Sequence, residues 1–222
     1  MLDDIPKNHE KLVKKLSQNL KPARPINKVI LYTAWLIPTL AIVVWVVYLM
    51  GLRTDIPNKI TTMPYASTLL ILLISGTVSA WAAIKMAIPG EKGNIKLNRT
   101  LLAIPVLLII FVLSSWFNTH HIKDFVAGIQ GGHACMYATF AIALIPLVLL
   151  TYFIVKLAPL KTFSTGIFIT LSALFMASFA VQLHCHSDNA CHLSTWHFLP
   201  ILIGSILIAL PLQYLLGKWK RS

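Results

Sequence analysis

The chain has 222 residues, 57% of them hydrophobic and only 12% charged, with a mean hydropathy of +0.75. A water-soluble domain carries about twice that charged fraction, and here the apolar residues come in long uncharged runs, the mark of a chain solvated by lipid. The formal net charge of +12 invites a nucleic-acid partner, but the basic residues stand at the ends of apolar runs instead of forming one stripe. Membrane topology explains that pattern, and no direct contact with nucleic acid is expected.

In chain order, the first element is a short helix over residues 6–20. Asp3 and Asp4 precede it, Pro6 suits its first turn and Pro22 stops it. Leu12, Val13, Leu16 and Leu20 fall on one stripe, extended backwards by Ile5 and His9 and flanked by Lys11, Lys14 and Lys15. So short a helix is marginal alone in water, so its stripe needs a surface. An anionic membrane leaflet suits a basic amphipathic helix, and a protein groove would take the leucines as anchors.

Six apolar runs follow, at 29–50, 64–84, 100–118, 134–155, 162–183 and 196–217, and none contains Asp, Glu, Lys or Arg. Each matches the roughly 20 residues that cross a hydrocarbon core of about 30 Å. The first is too long for a signal-peptide core and is expected to stay as a helix. Trp35, Trp45, Tyr48, Trp81, Trp116, Tyr137, Tyr152, Trp196 and Tyr214 lie mostly near run ends, where interfacial aromatics belong. Pro38, Pro105, Pro146, Pro200 and Pro211 fall inside runs, either tolerated there or acting as hinges. Sixteen Lys and Arg lie on one side of the implied membrane against three on the other, namely Arg53, Lys59 and Lys123. The positive-inside rule then puts both termini in the cytoplasm. The expected fold is all-α, with residues 1–28 as a cytoplasmic arm and 29–222 as a six-helix transmembrane domain.

That topology sorts the reactive side chains. Seven of eight histidines are extracytoplasmic, His120, His121 and His133 before the fourth run and His184, His186, His192 and His197 around the start of the sixth. Cys135, Cys185 and Cys191 are on the same side. Thiolate and imidazole are soft to borderline donors that suit copper and zinc, so Cys135, Cys185, Cys191, His133, His184, His186, His192 and His197 form a candidate metal or redox cluster. Taken singly, a histidine is as well explained as an interfacial group, and an oxidising compartment permits a structural disulfide. Either Cys135 with Cys185 or Cys185 with Cys191 satisfies the spacing, and three cysteines cannot all pair.

Together these residues resemble the NrsF-type membrane anti-sigma factors of Gram-negative bacteria, along the whole chain. The family has six spans and a short arm ending in a leucine-and-proline motif, here Leu16-Ser-Gln-Asn-Leu20-Lys-Pro22-Ala-Arg-Pro25. It has a Gly-x-x-Cys entering span four, here Gly132-His133-Ala134-Cys135. It also has a Cys before span six followed by Trp-His, here Cys185 and Trp196-His197. Cys191 and the extra histidines depart from that pattern and tilt the signal towards a metal ion, copper first and zinc second. The resemblance implies a multi-pass inner-membrane protein that is not an enzyme and needs no permanent cofactor. Its arm, through Leu12, Leu16, Leu20, Pro22 and Pro25, would hold an extracytoplasmic-function sigma factor. A stress signal, metal or oxidant, at Cys135 and Cys185 would release it by drawing the start of span four towards the loop before span six. Two rivals are a membrane thiol oxidoreductase, which usually needs a Cys-x-x-Cys pair absent here, and a metal transporter, which usually needs intramembrane ionisable residues. Ser75, Ser79, Ser172 and Ser178, the plausible polar lining of such a path, are better suited to helix packing.

Overall fold

A backbone surrounded by hydrocarbon must satisfy its own N–H and C=O groups, and a long apolar run does so as a helix. The computed structural model describes residues 27–88, 110, 113, 114, 126, 128–157 and 159–219. Its elements are α1 (Lys28–Met50), α2 (Ile56–Lys59), α3 (Met63–Ala87), α4 (His133–Val155), α5 (Thr162–His184), α6 (Ala190–Leu193), a π-helical turn (Ser194–Phe198) and α7 (Leu199–Trp219). No strand occurs among the described residues. Among the described residues, five stretches are long and apolar enough to cross a membrane: α1, α3, α4, α5 and the continuous segment Ala190–Lys218. The expected run at 100–118, the helix over 6–20 and the arm residues Leu12, Leu16, Leu20, Pro22 and Pro25 lie outside the described residues.

Local signals set the helix ends. The Asn27 side chain caps α1 by accepting from the backbone N–H of Val29 and Ile30 at 3.0 and 3.2 Å. Gly51, at φ 82°, takes the chain out of that helix in a conformation that favours glycine. The last span begins earlier than its apolar run, at residue 190 instead of 196, because Asn189 caps α6 through Cys191 N–H and His192 N–H. Cys191 and His192 are therefore helical, not loop residues.

Apolar side chains gain little by leaving lipid for another helix, so close backbone approach decides which helices pack. α3 offers Ser75, Gly76, Ser79, Ala80, Ala83 and Ala87, all buried. A Cβ on Gly76 would stand 2.9 Å from Met176 Sδ and 3.3 Å from Phe175 Cβ of α5. Gly204 of α7 is equally tight against Phe140 and Leu174. α5 is thus the central helix, buried almost all round from Thr165 to Gln182. Ser75, Ser79, Ser172 and Ser178 are all buried between helices, in keeping with the packing role.

α1 holds on by a single stripe of buried residues, Trp35, Thr39 and Val43, one turn apart. Trp35 is an exception to the interfacial expectation, since it is fully buried and its Nε1 donates to Pro146 O of α4 at 3.1 Å. Large apolar side chains such as Val44, Tyr48, Ile74, Val148, Leu207 and Tyr214 remain exposed on the outer faces, as a lipid-facing surface requires.

The partners of α5 fix direction. Tyr65 bonds Gln182 O, Cys135 neighbours Cys185, and Gly166 faces Ala209, so α3, α4 and α7 run antiparallel to α5. α1 runs parallel to it, because Gly51 and Arg53, just beyond its C-terminus, meet His184 and Leu183. Among the described residues, Lys28, Lys85, Lys156, Lys161 and Lys218 lie towards one end of the bundle, and only Arg53 and Lys59 stand at the other. The three cysteines share the end with Arg53.

Candidate metal centre

Three pieces of chain converge at that end. The first is the start of α4, where Gly132 caps the helix and Cys135 follows in its first turn. Gly132 has no alternative: a Cβ there would run into the indole of Trp196, which lies directly over it. That indole is held in place by donating Nε1–H to Ile129 O at 3.0 Å. The Gly-x-x-Cys and Trp-His motifs are therefore in contact, one forming the seat of the other.

The second piece is the C-terminal cap of α5, where Cys185 leaves the helix in an extended conformation. The third is α6 with the π turn. His192 and His197 are five residues apart, which in an α-helix of 3.6 residues per turn would point them about 140° apart. The wider turn over Ser194–Phe198 brings them to one face, with ring centroids 5.8 Å apart. Single π turns of this kind recur at functional sites.

Each donor atom of Cys135, Cys185, His192 and His197 lies within 4.8 Å of every other. Cys135 Sγ is 3.9 Å from Cys185 Sγ, and Cys185 Sγ is 3.5 Å from His192 Nε2. A tetrahedral ion with metal–sulfur bonds near 2.3 Å and metal–nitrogen bonds near 2.0–2.1 Å separates two sulfurs by about 3.8 Å and a sulfur and nitrogen by about 3.5 Å. Both measured edges match. Cys185, His192 and His197 are buried and Cys135 is half-buried. His197 is completely buried, and neither ring nitrogen has a hydrogen-bond partner among the described residues. Buried polar atoms are nearly always satisfied, so an imidazole left this way beside two sulfurs is a donor waiting on a ligand. The residues present fit a four-coordinate metal.

The Cys185 thiol is held far below its ordinary pKa, first by the hydrogen bond from Cys135 and then by His192, against a burial that pushes the other way. A thiolate is the form that binds metal and attacks oxidants.

Of the eight residues expected to form the cluster, four do so. Cys191 is buried but falls outside the set, with its Cβ packed against Gly128. His133 is exposed and rests edge-on to Tyr137. His184 gives its Nδ1–H to Gly51 O at 2.8 Å, and the exposed His186 packs edge-on to it. These four residues stand on the same segments as the clustered donors but are not among them.

A charged group beside the site, with none of the four donors in it, has no motif. Arg53, 2% exposed, lies under the Cys185 loop and donates Nη1–H to Cys185 O at 2.8 Å. Its guanidinium also binds Asp55 at 2.6 and 2.8 Å and Asp188 at 3.0 and 3.2 Å, and it stacks over the Tyr65 ring. Lys59 completes the group at 2.5 Å from Asp188. The pairing holds the Asp55 carboxyl at about 2. Burial pushes Asp188 up, but Arg53 and Lys59 outweigh it and the net movement is down. The sequence carries a faint signal for this, since Arg53 and Lys59 are basic residues on the side that topology keeps poor in them.

The family model described as NrsF, negative regulator of sigma F, matches residues 16–219, a stretch that includes the five described spans and the four clustered donors. No curated protein and no solved structure matches the chain.

Proposed function

The chain belongs to the NrsF family of negative regulators of sigma F, and from that premise we propose that it holds a sigma factor at the bacterial inner membrane and frees it when Cys135, Cys185, His192 and His197 bind a metal ion. The family is one of sigma-factor regulators and not of enzymes. The sigma factor is of the extracytoplasmic-function type, and residues 1–28 bind it through Leu12, Leu16, Leu20, Pro22 and Pro25, with membrane lipid as the arm's other surface. Residues 29–222 are the sensor, with six spans and both termini cytoplasmic. In support of six spans, the described chain is at the lysine-bearing end at Ala87 and at the cysteine end at His133, and the run at 100–118 lies between.

The observation that carries this reading is the assembled donor set, two sulfurs and two imidazoles within 4.8 Å of one another, at the bundle end remote from Lys28, the residue at which α1 begins. Softness alone favours copper. Tetrahedral spacing of two sulfurs and two nitrogens favours the zinc group, and we place that class ahead of copper. The donors are already adjacent, so the ion has no need to pull span four across to the loop. It acts by stabilising one arrangement of the end of the bundle, and a ligand moves an equilibrium only by its differential affinity for the two states. Turning a switch from 1:99 to 99:1 takes about 5.5 kcal/mol of differential affinity, which is about half of the roughly 10 kcal/mol or more of total binding free energy that thiolate–imidazole sites supply. Oxidation is a second input at the same place. Cys185 thiolate and the Cys135 thiol can close a disulfide, passing two electrons to an external oxidant and releasing the remaining thiol proton.

The test is a reporter for the partner sigma factor in strains carrying Cys135→Ser, Cys185→Ser or His197→Ala, together with metal stoichiometry of each purified protein. Loss of one bound equivalent and loss of induction in all three is the expected result. Normal metal induction in both cysteine variants would overturn the proposal.

A further inference from the structure

The metal centre and Lys28, which the arm precedes in sequence, lie at opposite ends of the bundle, so a proposal that one controls the other needs a link between them. α1 follows the arm in sequence, and it is the least buried of the five described spans, 17% buried against 83% for α5. Apart from the Trp35–Thr39–Val43 stripe, its firmest attachment is at the Gly51 end. There the segment 51–55 is sewn to the segment that carries Cys185. Arg53 N–H donates to Leu183 O at 3.1 Å, Arg53 Nη1 to Cys185 O at 2.8 Å, and His184 Nδ1 to Gly51 O at 2.8 Å.

Arg53 is suited to transmit displacement and not merely to fill space. Its fork engages two carboxylates and one peptide carbonyl with all three nitrogens, an arrangement a flexible lysine ammonium cannot reproduce. Lys59 and Arg53 balance the charges of Asp55 and Asp188, so the buried guanidinium is fully paired. The carbonyl it holds belongs to the same residue as one of the clustered sulfurs. A change in the Cys185 backbone as its sulfur takes up metal therefore arrives at Arg53 through one hydrogen bond, and at α1 through three residues of chain.

We propose that Arg53, with Asp188, is the positioning residue that couples the metal centre to α1 and through it to the sigma-binding arm. This rests on the function proposed above, and the two can fail separately. Full-length protein in lipid nanodiscs, with its sigma factor bound, is titrated with zinc, and both zinc uptake and sigma release are read for wild type, Arg53→Gln and Asp188→Asn. Both variants keep one zinc equivalent and hold sigma factor without zinc as wild type does, while the zinc concentration that releases it rises at least about tenfold, the scale of an ordinary coupling free energy. Release at the wild-type concentration in both variants overturns the coupling role while leaving the sensor intact. A wild type that binds no zinc, or binds it without release, overturns the sensor itself. Should Arg53→Gln fail to fold, hydrogen exchange on the wild type decides the matter. Zinc changes protection in peptides covering 51–55 and the α1 end at 27–31, and unchanged exchange in both, with zinc bound, overturns the proposal.

Discussion

Cys185 serves the site twice, through a sulfur shared with Cys135 and His192 and through a carbonyl held by Arg53. The carbonyl half depends on charge, and its pH window follows from Asp55. That carboxyl is held at about 2, below its ordinary value near 4, by Arg53. A depressed carboxyl contributes stability that is fully present above the unfolded value and is lost as pH falls towards the folded one. The difference in melting temperature between wild type and Asp55→Asn in detergent is therefore constant from pH 8 to 5 and shrinks below about pH 4. A difference that already fades between pH 7 and 5 would show that the pair is not held as drawn. At this scale the sequence was a partial guide. Soft donors on one side of the membrane, and the motifs holding Cys135, Cys185 and His197, stand out in it. Which histidines join the set does not, because that depends on helical phase: His192 and His197 meet only through the π turn, whereas His184 and His186 beside Cys185 are not among the clustered donors.

Among the elements, the order of packing is set by small residues. α3 meets α5 along Ser75, Gly76, Ser79 and Ala83, and the contact at Gly76 is with the flexible end of Met176 and the fixed Cβ of Phe175. Gly76→Ala is close to neutral, since the roughly 1 kcal/mol of helix propensity gained offsets a displaced Met176. Gly76→Leu has no such room and destabilises by about 1–3 kcal/mol. Thermal unfolding in detergent separates the two, and equal melting temperatures for both variants would contradict this close packing. Span positions were legible because an apolar run in lipid has few options besides a helix. α1, α3, α4 and α5 agree with their runs to within a few residues. The start of the last span was not legible, because Asn189 and the polar turn after it extend the helix beyond the apolar run. Nor was the burial of Trp35, which answers to a Pro146 carbonyl on a helix far away in sequence.

For the molecule as a whole, the family assignment drawn from three short motifs holds over residues 16–219. What the structure adds is an assembled donor set at one end of five described spans, and a buried arginine tying it to the span nearest the arm. A relay of this kind obeys linkage: if metal weakens the hold on the sigma factor by some factor, the sigma factor must weaken the hold on metal by the same factor. The zinc affinity of the full-length protein in nanodiscs, measured by chelator competition with and without saturating sigma factor, tests this in one comparison. Zinc affinity at least about fivefold weaker with the sigma factor bound is the predicted result. Equal affinities would mean that the metal site and the sigma-factor site do not communicate.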